Sequence, residues 1–266
     1  FSIIGDDMAE DLDPTFSEVL ELAFEAGESD VWAKMLALEY VPAGERARAG
    51  KAQARDLKPD RKLRSRDLFT YGLVLCERIS RKADSSPRRS RAAIYDELWK
   101  LEVIFDVARK MQFPSGNFKW HWSDDSVKDR NAVDFCMRGA ALICAQHADL
   151  LKRRRPRAWK MLRRIVKQSV KALSRRVHEK HTNIALLNAF DLIVIGETFD
   201  WQKVAQSGYR RLDRLVIYTW EWGVHEFASP TYTAIQMVVS ALIRKFARDG
   251  EARNQAEAIF RLVLRL

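Results

Sequence analysis

The strongest constraint on how this chain can fold is an alternation between two kinds of helical segment. Residues 128–151, 183–196 and 232–247 are apolar on nearly every side; the first contains Val133, Phe135, Cys136, Met137, Ala140, Ala141, Ile143, Cys144, Ala148 and Leu151. Between them, 157–177 and 201–221 are amphipathic. In 157–177, Trp159, Leu162, Val166, Val170, Leu173 and Val177 recur at spacings of three and four, while Arg157, Lys160, Arg164, Lys167, Lys171 and Arg175 fill the opposite side. A helix that is apolar all round needs neighbours on every side, whereas a helix with one stripe needs a neighbour on one. Consecutive antiparallel hairpins satisfy both demands if they curl, with the first kind inside and the second outside. The expected fold is therefore all-α: an α/α toroid, or an incomplete toroid, of antiparallel helical hairpins. The inner segments begin near 131, 183 and 232, a repeat of pattern rather than of letters. Few glycines and prolines (11 and 7) and little β-branched alternation agree with an all-helical chain.

Upstream, the chain reads differently. Residues 1–66 are expected to form acidic N-terminal helices (a first one over 14–27) and a basic linker, packed on a toroid domain spanning 67–266. A helix is predicted from Ser65 or Asp67 to the break at Asp84–Pro87, and another over 88–111. The net charge of +10 is unevenly distributed: residues 1–30 carry ten acids and no Lys or Arg, while 151–180 carry thirteen Lys or Arg and one acid, Glu179. Either the acidic end folds over the basic face, or that face meets a polyanion. A nucleic-acid site would pair its cations with exposed aromatics. Trp159 belongs instead to the buried stripe, so 151–180 reads as a solvated outer face or a docking surface for an acidic partner. The three cysteines cannot make a closed disulfide set, and Cys136 and Cys144 lie too far apart on one helix to bridge. No zinc-ligand spacing occurs, and no metal or cofactor is expected. No apolar run is long enough to span a bilayer, and no membrane partner is expected. The chain begins at Phe1 rather than Met, so the lack of a signal peptide says little about compartment.

In an array of hairpins, every loop running from an outer into an inner helix emerges at the same end. Here those loops are 113–130, 178–183 and 223–232. They hold four of the five histidines (His121, His178, His181 and His225), the fifth being His147 inside a helix. They also hold Asp124, Asp125, Glu226, Trp120, Trp122, Asn183 and Tyr232, with Trp220 and Trp222 just ahead. The opposite connectors, 152–156 and 198–200, are poorer in such groups. The asymmetry predicts a cleft at one mouth, beside inner-helix N-termini that suit anionic groups. Expected catalytic residues are Glu226, His225, Tyr232, His181 and Asp125; Trp120, Trp122, Asn183, Trp220, Trp222 and Asp124 are expected to bind substrate. Asn188 and Asp191, polar groups inside an apolar helix, either bridge neighbouring helices or line the cavity. His147 is expected to be structural.

The segments Asn183-Ile-Ala-Leu-Leu-Asn-Ala189 and Gly223-Val-His-Glu-Phe-Ala-Ser-Pro-Thr-Tyr232, one hairpin apart, resemble the inner-helix starts of α/α-toroid carbohydrate-active enzymes. These include polysaccharide lyases of the alginate-lyase and heparinase sort and toroid glycosidases. The similarity spans about 117–247. It implies a sugar-polymer substrate in the ring's mouth, with roles for Asn183, His225, Glu226 and Tyr232. Such rings commonly close with six hairpins; this chain has about five helix pairs at most, so the ring is open or a second chain completes it. Hydrolysis would use Glu226 with Asp124 or Asp125 as a carboxyl pair. A lyase would use Asn183 and His181 to neutralise a uronate, and His225 with Tyr232 to move protons. Two other functions fit the residues: a non-catalytic helical scaffold using the basic face on an acidic partner or nucleic acid, and a toroid lyase or dehydratase acting on a small apolar molecule.

Overall fold

In a computed structural model, residues 59–85, 91–225 and 229–265 can be described. The expected N-terminal helices and Glu226 lie outside them. All regular structure among the described residues is helical: α1 Ser65–Ser85, α2 Arg91–Lys110, α3 Ala132–Arg154, α4 Pro156–Leu173, α5 Thr182–Thr198, α6 Gln202–Trp222, α7 Pro230–Phe246 and α8 Gly250–Leu264. Two isolated β-bridges, Arg64 with His121 and Gln112 with Phe118, only tie loops together. No helix among these residues is long and apolar enough to cross a membrane.

Each odd-numbered helix packs against the even-numbered helix that follows it, giving four hairpins. The odd helices also touch in sequence, α1 with α3, α3 with α5, and α5 with α7; α2 touches α4, and α6 touches α8. Two rows result. The apolar-all-round segments supply three members of the first row, and α1 is the fourth. Burial follows this division in α5 and α4 but not in α7, which is expected to be buried all round and instead leaves Ala234, Val238 and Ala241 exposed. In α5 every residue from Thr182 to Gly196 is buried, whereas in α4 burial is confined to Ala158, Leu162, Ile165, Val166, Ser169 and Leu173. Each fully buried Leu or Ile contributes about 1.5–3 kcal/mol, so α5 is anchored from all sides and α4 from one.

The turns follow from local chemistry. α3 and α4 are separated by Arg155 alone, with Pro156 at the first position of α4, where its missing N–H costs nothing. Gly223, at φ 75°, ends α6 in a conformation that side chains resist. Ser229 caps α7, its hydroxyl accepting from the Tyr232 N–H at 3.4 Å, with Pro230 next. Asp249 caps α8 by accepting from the Ala252 N–H at 2.8 Å. The α5–α6 hairpin is the tightest. A Cβ on Gly208 would lie 2.7 Å from both the backbone N and Cγ1 of Ile193, and one on Gly196 would lie 2.3 Å from the Ala205 nitrogen.

The end carrying the odd-to-even turns is clamped by aromatics. Phe199 stacks on Trp159 at 5.7 Å and on Trp201 at 4.8 Å between centroids, binding the α5–α6 turn to the start of α4. Beside it, the Glu197 carboxylate accepts from the Tyr209 hydroxyl and from the Arg248 backbone N–H, which pulls in the α7–α8 turn. His147 is a structural link between α3 and α1: its Nε2 lies 2.9 Å from Glu77 Oε1 and its Nδ1 3.3 Å from Ser80 Oγ. The Glu77 carboxyl is held below its ordinary value, chiefly by that hydrogen bond. Cys76, Cys136 and Cys144 are free and buried. Burial pushes their thiols up, so they act as small apolar groups.

Asp191, on α5, is fully buried and neither carboxylate oxygen has a hydrogen-bond partner among the described residues. Burial pushes its carboxyl well above the usual range; neighbouring Asp134 adds to this, and Arg138 and Arg175 act against it. The folded state therefore holds a proton that the unfolded chain releases near pH 4, and stability falls as pH rises above that value. Two outcomes are expected in thermal or denaturant unfolding. Asp191→Asn, which matches the neutral acid in shape, raises Tm by roughly 3 °C at pH 7.5 and by less at pH 4.5; a uniform shift at both values contradicts this. Gly208→Ala destabilises by about 1–3 kcal/mol through overpacking against Ile193; an unchanged midpoint would show that the two helices can part at no cost.

Candidate functional site

At the other end, a buried polar network ties the connectors that enter α3 and α5 to each other and to α6. Asp134, in the first turn of α3, is fully buried. Its carboxylate accepts from both terminal nitrogens of Arg175, which follows α4, and from Asn188 Nδ2 of α5 at 2.7 Å. Arg175 Nη2 also donates to Asn131 Oδ1 at 2.9 Å. Asn188 Nδ2 donates to the Leu173 carbonyl at 3.1 Å, and its Oδ1 accepts from Arg211 Nη1 of α6. Arg211 Nη2 then donates to the Arg175 carbonyl at 2.5 Å. Four helices are thereby pinned around one carboxylate. Burial pushes the Asp134 carboxyl above its ordinary value, and Arg175 is the main influence pulling it back. Burial lowers Arg211 to about 10, which leaves it charged at neutral pH. Asn188 thus bridges helices, one of its two expected roles. Asp191, one turn on, makes no such bridge.

Above this network lies an open groove of about 470 Å³, between the α4–α5 connector and the last turns of α6. Arg176, Val177, Glu179, Arg214, Ile217, Tyr218 and Glu221 line it. Glu179 accepts from Arg214 Nε at 3.1 Å. Although partial burial raises its carboxyl, the Glu179 N–H, Arg214 and His178 outweigh that and hold it below its ordinary value. Tyr218 forms one wall. Its hydroxyl lies 3.0 Å from His225 Nε2, and the His178 ring meets it edge-on at 6.0 Å. The Thr182 hydroxyl donates to the His225 carbonyl at 3.4 Å, joining the 223–225 connector to the start of α5. His181 occupies the N-cap position of α5 and is exposed; Asn183, next to Thr182, is buried and its Oδ1 accepts from the Ile184 N–H at 2.7 Å.

The remaining expected site residues lie elsewhere or point outward. Trp120 packs edge-on against Phe135 at 5.7 Å and under Arg66 at 5.3 Å, and its carbonyl accepts from the Ser65 N–H. Trp122 has Lys119 over its ring, and its N–H bonds to the Leu63 carbonyl. Asp124 accepts from the His121 N–H at 2.8 Å, closing its own loop. Asp125, with its side chain 87% exposed, pairs with Lys128 at 3.3 Å. Hydrogen bonding by Lys128 and Ser126 holds its carboxyl down, the wrong direction for a proton donor. These four residues are fastened to the approach to α1, to α3 or to their own loop. Trp220 and Trp222 are 72% and 69% exposed, and Tyr232 is 41% exposed; Trp220 lies over the seam between α6 and α8.

Sequence reasoning missed Arg176, Arg214, Tyr218 and Glu221, and it counted Glu179 only as charge. The signal that could have found Tyr218 is its position one helical turn before Trp222, within the aromatic end of α6. Among the described residues, no cluster of three or more His, Cys, Asp or Glu could hold a metal ion. Comparison with protein-family models, curated proteins and solved structures finds no match.

The network makes a definite stability prediction. Arg211→Met leaves the Asn188 oxygen and the Arg175 carbonyl without a buried donor, and is expected to cost about 2–3 kcal/mol in chemical unfolding. Arg176→Met, which removes an exposed groove cation with no ion pair, is expected to cost under about 0.5 kcal/mol. Equal losses would refute the distinction between support and surface.

Proposed function

We propose that the chain is a carbohydrate-active enzyme of the α/α-toroid kind, its hairpins forming an arc of that ring. Its reaction is the eliminative cleavage of an acidic polysaccharide in the groove beside Tyr218. The observation that carries the reading is the Tyr218–His225 hydrogen bond at the groove wall, flanked by Arg176 and Arg214. Elimination needs a base for the proton next to the uronate carboxylate, an acid for the departing glycosidic oxygen, and cations to stabilise the carboxylate as charge builds on it. The His225 imidazole takes the proton; the C–H electron pair becomes the new carbon–carbon double bond as the C–O bond breaks. Tyr218 gives its proton to the leaving oxygen, and their hydrogen bond then returns the proton from His225 to Tyr218. Arg176, exposed and without an ion pair among the described residues, is the cation best placed for the carboxylate, with Arg214 shared with Glu179.

Tyr218 and His225 at the groove wall support elimination, whereas Asp124 and Asp125, named for the hydrolytic scheme, are engaged in their own loop. The resemblance at Asn183, His225, Glu226 and Tyr232 supports a carbohydrate-active enzyme and fits lyase and hydrolase alike.

Incubation with polymannuronate, polyguluronate, polygalacturonate and heparan-type chains is expected to yield products absorbing in the ultraviolet through the new double bond with at least one of them. Tyr218→Phe and His225→Ala are each expected to lower that rate at least 100-fold while leaving unfolding midpoints within about 0.5 kcal/mol. New reducing ends without ultraviolet absorbance would replace elimination by hydrolysis. No cleavage of any of these polymers would remove the enzyme reading.

A further inference from the structure

Five cations on α4 run along its solvent side: Arg157, Lys160, Arg164, Lys167 and Lys171. Their spacings of three and four residues keep them on one line. At 1.5 Å per residue the line is about 21 Å long, with a charge roughly every 5 Å. All five are exposed, and none is in a hydrogen bond or ion pair with the described residues, although elsewhere on the surface Arg109, Lys110, Lys152, Arg244 and Arg261 find acidic partners. A row of like charges along one helix face repels itself, so leaving it unpaired has a cost that a ligand would relieve.

The row also has a direction. It runs toward the C-terminal end of α4, and Arg176 of the groove follows Lys171 by five residues. No exposed aromatic accompanies it. The Trp159 ring is covered by Phe199 on one side and by Lys152 at 5.4 Å, so the row lacks the stacking platform expected of a single-stranded nucleic-acid site. A straight file of single charges, about one per helical turn, instead suits a polymer carrying one anion per sugar unit.

Building on the eliminative reading above, we infer that this row is a binding track for an acidic polysaccharide, holding the chain along α4 and leading it into the groove. The track adds affinity through counterion release and through linkage of several weak contacts, so its contribution grows with chain length and shrinks with salt. Short oligomers that fill only the groove do not reach it.

The test measures binding of the full chain by calorimetry at low and physiological salt. The probes are polymannuronate, polygalacturonate and the corresponding trisaccharides, with single-stranded DNA and polyglutamate as charge-matched controls. Lys160→Gln/Arg164→Gln/Lys167→Gln is expected to weaken long-chain uronate binding at least tenfold at low salt, flatten its salt dependence and leave trisaccharide affinity unchanged. The variant's unfolding midpoint should match the parent's, because all three side chains are exposed. The inference is overturned if long-chain affinity is unchanged, if the parent binds neither polyuronate, or if it binds DNA or polyglutamate as tightly as the uronates. Track-dependent binding without double-bond products would sink the proposed reaction and leave the track standing; double-bond products from trisaccharides with no effect of the triple substitution would do the reverse.

Discussion

A single buried carboxylate, Asp134, holds together the end of the molecule where the groove lies. Without partners a charge in that position would be prohibitively costly. The requirement that it be satisfied fixes where Arg175, Asn188 and, through them, Arg211 sit. Because these four side chains come from α3, the α4–α5 connector, α5 and α6, satisfying one charge sets the relative placement of two hairpins. Arg176, Val177 and Glu179 follow Arg175 directly, and Arg214, Ile217 and Tyr218 lie one to two turns beyond Arg211. The groove walls are therefore the outward continuation of the buried network.

The two ends of the hairpins are held by different physics. At the odd-to-even turns, stacked Trp159, Phe199 and Trp201 clamp helices through contact area, with the Glu197 carboxylate adding hydrogen bonds from Tyr209 and Arg248. At the even-to-odd end, hydrogen bonds and ion pairs do the same task, leaving histidine, tyrosine, arginine and glutamate at the surface beside one another. Polar fastening is more demanding because every partner must be present, but it assembles reactive groups where an aromatic clamp cannot. That division explains why the groove with Tyr218 and His225 is found at this end.

Much of the helical layout was legible in the chain. The all-round apolar segments had to be surrounded, and α5 and most of α3 are, whereas α7 leaves Ala234, Val238 and Ala241 exposed; the single stripe of α4 predicted one buried side, and Leu162, Val166 and Leu173 lie on it. The Ser-Pro-Thr run marked Ser229 or Thr231 as the α7 cap, and Ser229 fills that role. The site was only partly readable. Loop composition pointed to that end of the molecule and to His225, whose Nε2 lies 3.0 Å from the Tyr218 hydroxyl. Arg176, Arg214 and Glu221 did not, because exposed charges at helix ends look the same whether they bind a ligand or water. Asp134 looked like an ordinary first-turn acid, since nothing in its neighbours reveals that Asn188 lies across from it, fifty-four residues on. Asp124 and Asp125 misdirected attention for the converse reason: loop carboxylates that close their own turns have the same letters as catalytic ones.

The most direct measurement is a crystal structure of the chain with a short acidic oligosaccharide bound. The account predicts a uronate carboxylate against Arg176 and Arg214, with the scissile linkage facing the Tyr218 hydroxyl and His225 Nε2, and the Asp134 network unmoved beneath. An oligosaccharide bound away from the α4–α5 connector, or a groove that stays unoccupied at saturating ligand, would contradict it.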